Sequence, residues 1–431
     1  MSPAAEKALK AARAAGAAQA AATLSVVRRG HLRFANNGPT TSGESERRTL
    51  SLEASLGKRH ASGATEDLSA EGIARLAESV VAQARAAPED PEQQPEPPAQ
   101  RYASLPGAYD PALAAADPRV RAAAVKPILE AALAGSLLAA GLYEDQVREL
   151  WRVSSGGSQG THRDTFASLS ATLRRADGSA SAWAGAAAVR AAELDPHRLA
   201  LRAAEKARLW TDPEALPPGH YTVVLEPAAM ATLLEFVDRA LDARSADEGH
   251  SAFTGKEGAP IFSKEISLES DPADPLSPGL PWAEGGLRSE LQVYAQGGVL
   301  KQLRRSRYWA QKTGKKPTAD GGNLRLLGGG QRLEQLLGKV ERGLLVTRLG
   351  YVRMLEPRSL SVTGLTRDAT FLVESGKLVR AVRNFRFNQS LVDLMANVEA
   401  LGREERTPES LCVAPAAVVR DFNMSSISEA V

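Results

Sequence analysis

Residues 225–244 read LEPAAMATLLEFVDRALDAR, and the fold turns on how this stretch is read. Met230, Leu233, Leu234, Val237, Ala240 and Leu241 recur at helical spacing, which predicts a helix over 228–243 with one apolar face. Leu233, Leu234, Val237 and Leu241 are its candidate core. The opposite face carries Glu235, Asp238, Arg239 and Asp242, which a solvated surface explains without chemistry. Glu235 stands one helical turn before Arg239, a spacing that adds only a few tenths of a kcal/mol. Just upstream, GHYTVVLEP (219–227) reads as a strand, so the unit is a strand leading directly into an amphipathic helix.

Working outward, 431 residues exceed one typical core and predict two domains. The 53 basic and 51 acidic residues leave a net charge of +2, too balanced for a general nucleic-acid binder. Hydrophobic residues make up 43% of the chain, enough for globular cores, and much of that fraction is alanine. No run of apolar residues reaches the length of a membrane span. A single cysteine, Cys412, excludes an internal disulfide framework and fits a cytoplasmic location.

An alanine-rich first helix is expected over 3–20, followed by strands in 24–38 and 47–63. Ser69 is a good N-cap for a helix carrying Ile73, Leu76, Ala77, Val80, Val81 and Ala84. The proline-rich stretch 87–100 predicts an extended surface connection. Helix is expected again over 111–148, interrupted at Pro127, and over roughly 185–207. Strands are expected in RELWRVSSGG (148–157) and DTFASLSATLRRADGSASAWAG (164–185), the latter with a turn at Asp177-Gly178. Beyond residue 210 the pattern is mostly β, with a hairpin at Gly297-Gly298 and helices at 331–342, capped by Gly343, and 390–401, stopped by Gly402. The expected fold is therefore α+β, with a mixed α/β domain over 1–210 and a β-rich domain over 211–431.

The order of segments in the second half resembles the TldD/PmbA family of metalloproteases. The resemblance is carried by GHYTVVLEPAAMATLL (219–234), AEGGLRSELQVYAQGGVLKQLRRSRYWAQKTG (283–314) and ERGLLVTRLG (341–350). SLSVTGLTRDATFLVESGKLVRAVRNFRFNQSLVDLMANVEALG (359–402) and CVAPAAVVRDFNMSSISEAV (412–431) continue it. In TldD-type members the helix after the strand carries His-Glu-x-x-x-His, and a cysteine nearer the C-terminus completes a zinc site. There the metal activates a water whose proton the glutamate takes. In register with Leu233-Leu234, this chain has Glu235 for the first histidine, Phe236 for the glutamate and Ala240 for the second histidine. Phenylalanine cannot accept a proton and alanine cannot bind a metal.

The resemblance thus implies a TldE/PmbA-like subunit with no catalytic residue and no metal of its own, paired with a TldD-like subunit that carries the zinc. Together such subunits enclose a chamber that degrades or processes peptides, and this chain would supply chamber wall and substrate-binding strand edges. Two alternatives stand beside that expectation: a homodimeric metallopeptidase with an atypical site, and a non-catalytic peptide-binding or scaffold protein. The six histidines, including His220, are scattered with no metal-binding spacing. Cys412, within LCVAP, reads as a small buried hydrophobe. GGNLRLLGGG (321–330) lacks the Lys-Ser ending of a phosphate-binding loop. KQLRRSRYWAQKTGKK (301–316) is cationic throughout and reads as a solvated or interface surface, with Arg304, Arg305 and Tyr308 as candidate substrate or partner contacts. Trp282 and Glu284, in PWAEGG (281–286), join that candidate surface.

Overall fold

A computed structural model describes residues 2–428. In chain order the first half contains α1 (Pro3–Ala14), β1 (Gln19–Ala35), β2 (Gly38–Leu56), β3 (Arg59–Thr65) and α2 (Ala70–Ala86). It continues with α3 (Pro111–Ala114), α4 (Pro118–Ala134), β4 (Leu138–Ser154), β5 (Gln159–Arg174), β6 (Ser181–Ala188) and α5 (Pro196–Leu209). The strands form one antiparallel sheet in the order β3-β2-β1-β4-β5-β6. As expected, Ser69 caps α2, its hydroxyl accepting from the Gly72 N–H at 3.0 Å. Alanine and leucine side chains of α1 and α2 then pack onto β1 and β2.

The second half opens with β7 (Gly219–Leu225), α6 (Pro227–Ala240), α7 (Ala243–Asp247), β8 (Leu268–Ser270), β9 (Gln292–Gln296) and β10 (Val299–Leu300). Next come α8 (Arg307–Thr313), β11 (Arg325–Leu326), α9 (Leu333–Leu337), β12 (Arg342–Glu356) and β13 (Ser361–Glu374). It ends with β14 (Lys377–Val382), β15 (Phe385–Ser390), α10 (Leu391–Ala396), β16 (Val398–Arg406) and β17 (Val413–Ile427). These strands make a second sheet whose pairings close on themselves: β7 joins β12 in parallel and β17 antiparallel, while β13 and β15 complete the ring. The fold is α+β. Among the described residues no helix is long and apolar enough to cross a membrane.

Several expected elements are corrected. The helix expected over 111–148 ends at Ala134, and 138–154 is strand β4, because that segment pairs with β1 on one side and β5 on the other. Pro127 sits buried inside α4 and does not end it. The first helix stops at Ala14, and Gly16 takes the left-handed conformation (φ 100°) that turns the chain into β1. Residues 185–188, expected to open a helix, continue strand β6 beside β5, so α5 begins only at Pro196, where the Asp195 carboxylate accepts from the Arg198 N–H. Likewise α9 stops at Gly338, Gly343 lies within β12, and 398–401 belong to β16, drawn out of helix by pairing with β17. The hairpin at Gly297-Gly298 stands as expected, both glycines having positive φ.

The core has two continuous masses in this half. One surrounds α6: Met230, Leu233, Leu234 and Val237 are buried against strand residues that include Leu344, Val346, Ala417 and Val419. The other joins the two halves, with Leu169 and Ala203 of the first meeting Val224, Leu345 and Phe371 of the second. Trp210 spans the junction, its indole N–H donating to the carbonyls of Thr370 (3.1 Å) and Val382 (3.2 Å).

Candidate functional site

Strand β7 is fully buried at Val223, Val224 and Leu225, and Pro227, pre-set for helix, starts α6. The apolar stripe read from the sequence faces the core, so the helix is held rigidly at its base. Phe236 is 9% exposed, and the Arg239 guanidinium lies 4.5 Å from its ring centre. Asp238 is not merely solvated: it accepts from Arg304 at 2.8 Å, and Arg304 donates to Asp320 at 2.6 Å. The Tyr294 hydroxyl also donates to Asp320, at 2.5 Å. Burial works against the Arg304 charge, but Tyr294, Asp238 and Asp320 outweigh it and raise its pKa. Asp242 caps α7, accepting from the Ser245 N–H at 2.8 Å.

Cys412 is buried in the core cluster around this helix, its thiol pushed up to about 12 by burial first and by the charges of Asp238 and Glu235 second. A thiol held protonated is a poor zinc ligand. Glu235 has one carboxylate, Phe236 and Ala240 offer no ligand atom, and Asp238 is bound to Arg304. Among the described residues no group of three or more histidine, cysteine, aspartate or glutamate side chains is placed to hold a metal ion. The residues on and around α6 do not fit the zinc of the TldD-type site.

A second cluster, which the sequence reading missed, lies at the start of the same helix. Glu226 is 2% exposed and receives Lys206 Nζ at 2.5 Å and Arg202 Nη2 at 2.5 Å. Arg202 also reaches Glu405 at 3.2 Å, Arg198 reaches Glu405 at 2.9 Å, and Lys206 donates to the Thr347 hydroxyl at 3.2 Å. Burial pushes the Glu226 pKa up, but Lys206 and Arg202 outweigh it and hold the carboxylate ionised, below its usual range. Burial also dominates at Lys206 and pulls the amine down to about 8, Glu226 offsetting it only in part. The single signal in the sequence is an acid at the end of an apolar strand, VVLEP, facing cations that lie on a different element.

The five candidate contact residues do not form one surface. Trp282 is 8% exposed, its ring 5.2 Å from that of Tyr102, so it ties the two halves together. Arg305 is 5% exposed and donates to Glu257 at 2.5 Å. Arg304 is half-buried in the network on α6. These three are structural contacts. Glu284, in a short turn tethered by the Tyr102 hydroxyl to the Gly286 carbonyl, is exposed, and Tyr308 is half-buried on α8. Within the cationic stretch 301–316, expected as a surface, α8 buries Trp309, whose indole N–H donates to Asp247 at 2.7 Å. His220 pairs opposite Asn423 and makes an exposed 2.7 Å contact with Asp421.

This strand–helix unit, set in a closed sheet beside a second antiparallel sheet, is shared with known proteins. The family profile for the PmbA/TldA metallopeptidase C-terminal domain matches residues 218–426, and that for PmbA/TldA metallopeptidase domain 1 matches residues 20–84. The chain belongs to the PmbA/TldD metallopeptidase family. It is 28% identical over 165 residues to the metalloprotease PmbA of Escherichia coli O157:H7, covering 36% of this chain and 34% of that protein. It is 22% identical over 233 residues to a metalloprotease of Methanothermobacter thermautotrophicus, covering 51% of this chain and 50% of that one. The chain thus spans half the length or less of the curated relatives it matches. Among solved structures, TldE from Thermococcus kodakarensis superposes with a TM-score of 0.89 at 18% identity, over 97% of this chain and 99% of that one. A protein of Bacteroides thetaiotaomicron described as a modulator of DNA gyrase gives a TM-score of 0.85 at 22% identity, over 98% of each chain. At these identities the structural likeness shows a shared fold.

Proposed function

We propose that this chain is a TldE/PmbA-like subunit without a catalytic metal, which acts in the cytoplasm beside a TldD-like zinc subunit in the breakdown or processing of peptides. One observation supports this reading above the others. Helix α6 keeps its whole apolar face in the core, while the positions that would bind and use zinc hold Glu235, Phe236 and Ala240. A scaffold kept intact with its chemistry removed suits a subunit that contributes shape. Exposed Glu284 and half-buried Tyr308 are the two sequence candidates left to face a partner or a peptide. Strand edges would supply peptide affinity through main-chain hydrogen bonds.

The test is purification of the chain alone and together with a protein that carries His-Glu-x-x-x-His. Alone, it should hold no stoichiometric zinc by elemental analysis and cleave no unfolded peptide. The mixture should co-elute, carry zinc and cleave. About one zinc per chain in the isolated protein, with peptidase activity, would overturn the reading.

A further inference from the structure

One cavity is lined by none of Glu235, Phe236 and Ala240. It encloses about 730 Å³, within the range that holds small ligands. Buried Lys206 and partly buried Arg202 lie at its base, over Glu226. Its apolar lining includes Leu333, Leu337 and Leu345, the last two buried. At the mouth stand Arg332, Lys377 and Arg403, all exposed and with no acidic partner among the described residues. Six cationic side chains line the cavity against three acidic ones, an excess of three, and counting Glu226 beneath the base leaves two.

Charge and shape together define the ligand. Arg198 and Arg202 share Glu405, and Arg202 and Lys206 share Glu226, so three cations at the base meet two carboxylates and keep one net positive charge. Arg332 beside α9, Lys377 on β14 and Arg403 on β16 converge from separate elements on one apolar hollow and outnumber the remaining lining acids, Glu205 and Glu334, by one. A neutral apolar ligand would leave those charges unused, and a highly charged phosphate would waste the leucine wall. Guanidinium groups bind carboxylates with directional, charge-assisted hydrogen bonds.

We infer that this cavity binds a small ligand with an apolar body and a terminal carboxylate, either the free C-terminal end of an apolar peptide or a medium-chain fatty acid. The inference is independent of any pairing with a zinc subunit, because it uses only residues of this chain.

The experiment is calorimetric titration of the full chain with acetyl-Leu-Leu-Leu, with its C-terminal carboxamide, and with octanoate. At low salt at least one of the two acids should bind, and a peptide acid that binds should do so about tenfold more tightly than its carboxamide. Higher salt should weaken the acid. Lys377→Gln and Arg403→Gln should each weaken the acid about three- to fivefold with no loss of thermal stability, since neither has a partner to lose. Binding of the peptide acid assigns the site to peptides, and binding of octanoate alone assigns it to free acids; both uphold a carboxylate site. Equal affinity for peptide acid and amide, no binding of either acid, or full affinity in the folded double variant would overturn it.

Discussion

Glu226→Gln tests the buried cluster at the foot of α6. The change is nearly isosteric and removes one charge from a residue 2% exposed. Arg202 keeps Glu405 at 3.2 Å, so the loss falls on Lys206, which is 6% exposed and retains only the Thr347 hydroxyl at 3.2 Å. Breaking one side of a buried ion pair costs about 3–5 kcal/mol, and the surviving Arg202–Glu405 contact places this case near the lower end. At about 2 °C per kcal/mol for a chain of this length, the melting midpoint should fall by roughly 6–8 °C at pH 7.

The pH dependence gives a second readout. The Glu226 carboxyl titrates below its ordinary range when folded, so the stability it confers is present above that range and is lost as pH falls through the lower folded value. Lys206, pulled down to about 8, makes the protein gain stability as pH rises from there toward 10.5. Without Glu226 its pKa falls further, so the variant begins that gain at lower pH. The deficit should therefore be greatest near pH 5–6, roughly, and narrow on both sides. Adding Lys206→Met should recover at least half of it, since a neutral pair needs no compensation. A loss under about 1 kcal/mol, or a deficit independent of pH, would refute the reasoning.

Other outcomes follow from neighbouring residues. Leu234→Ala, at a fully buried position, should destabilise by about 2–5 kcal/mol in urea unfolding. Glu235→Gln should change stability by less than about 0.5 kcal/mol and leave the peptidase rate of a reconstituted complex unaltered; a large rate loss with assembly intact would return chemistry to this helix. Cys412, with its thiol raised to about 12, should resist a thiol reagent at pH 8 in the folded chain and react at once in urea.

The parts of the fold legible in the sequence are those decided locally. Ser69 and the stripe behind it specified α2, and the spacing of Met230, Leu233, Leu234 and Val237 specified α6 and its buried face. Segments 138–148 and 185–188 were misread because alanine and leucine favour helix, whereas long-range pairing with β1 and β5 decides the outcome. The positions expected to stand for a zinc motif, Glu235, Phe236 and Ala240, could be picked out because they fall within one helical stretch. The Glu226 cluster was not, since Arg202, Lys206, Thr347 and Glu405 meet only through tertiary packing. For the same reason Trp282, Arg304 and Arg305 looked like surface until their partners Tyr102, Asp320 and Glu257 were placed.

The ring of strands has a consequence for biosynthesis. Val223 of β7 pairs with Leu344 on one side and with Val419 on the other. A nascent chain that has made β7 must hold it without either neighbour while more than a hundred further residues are translated. The apolar GHYTVVL segment is then an open template for wrong partners, and only the arrival of Val413–Ile427 seals it. Premature termination before β17 should leave a product that chaperones retain or proteases clear.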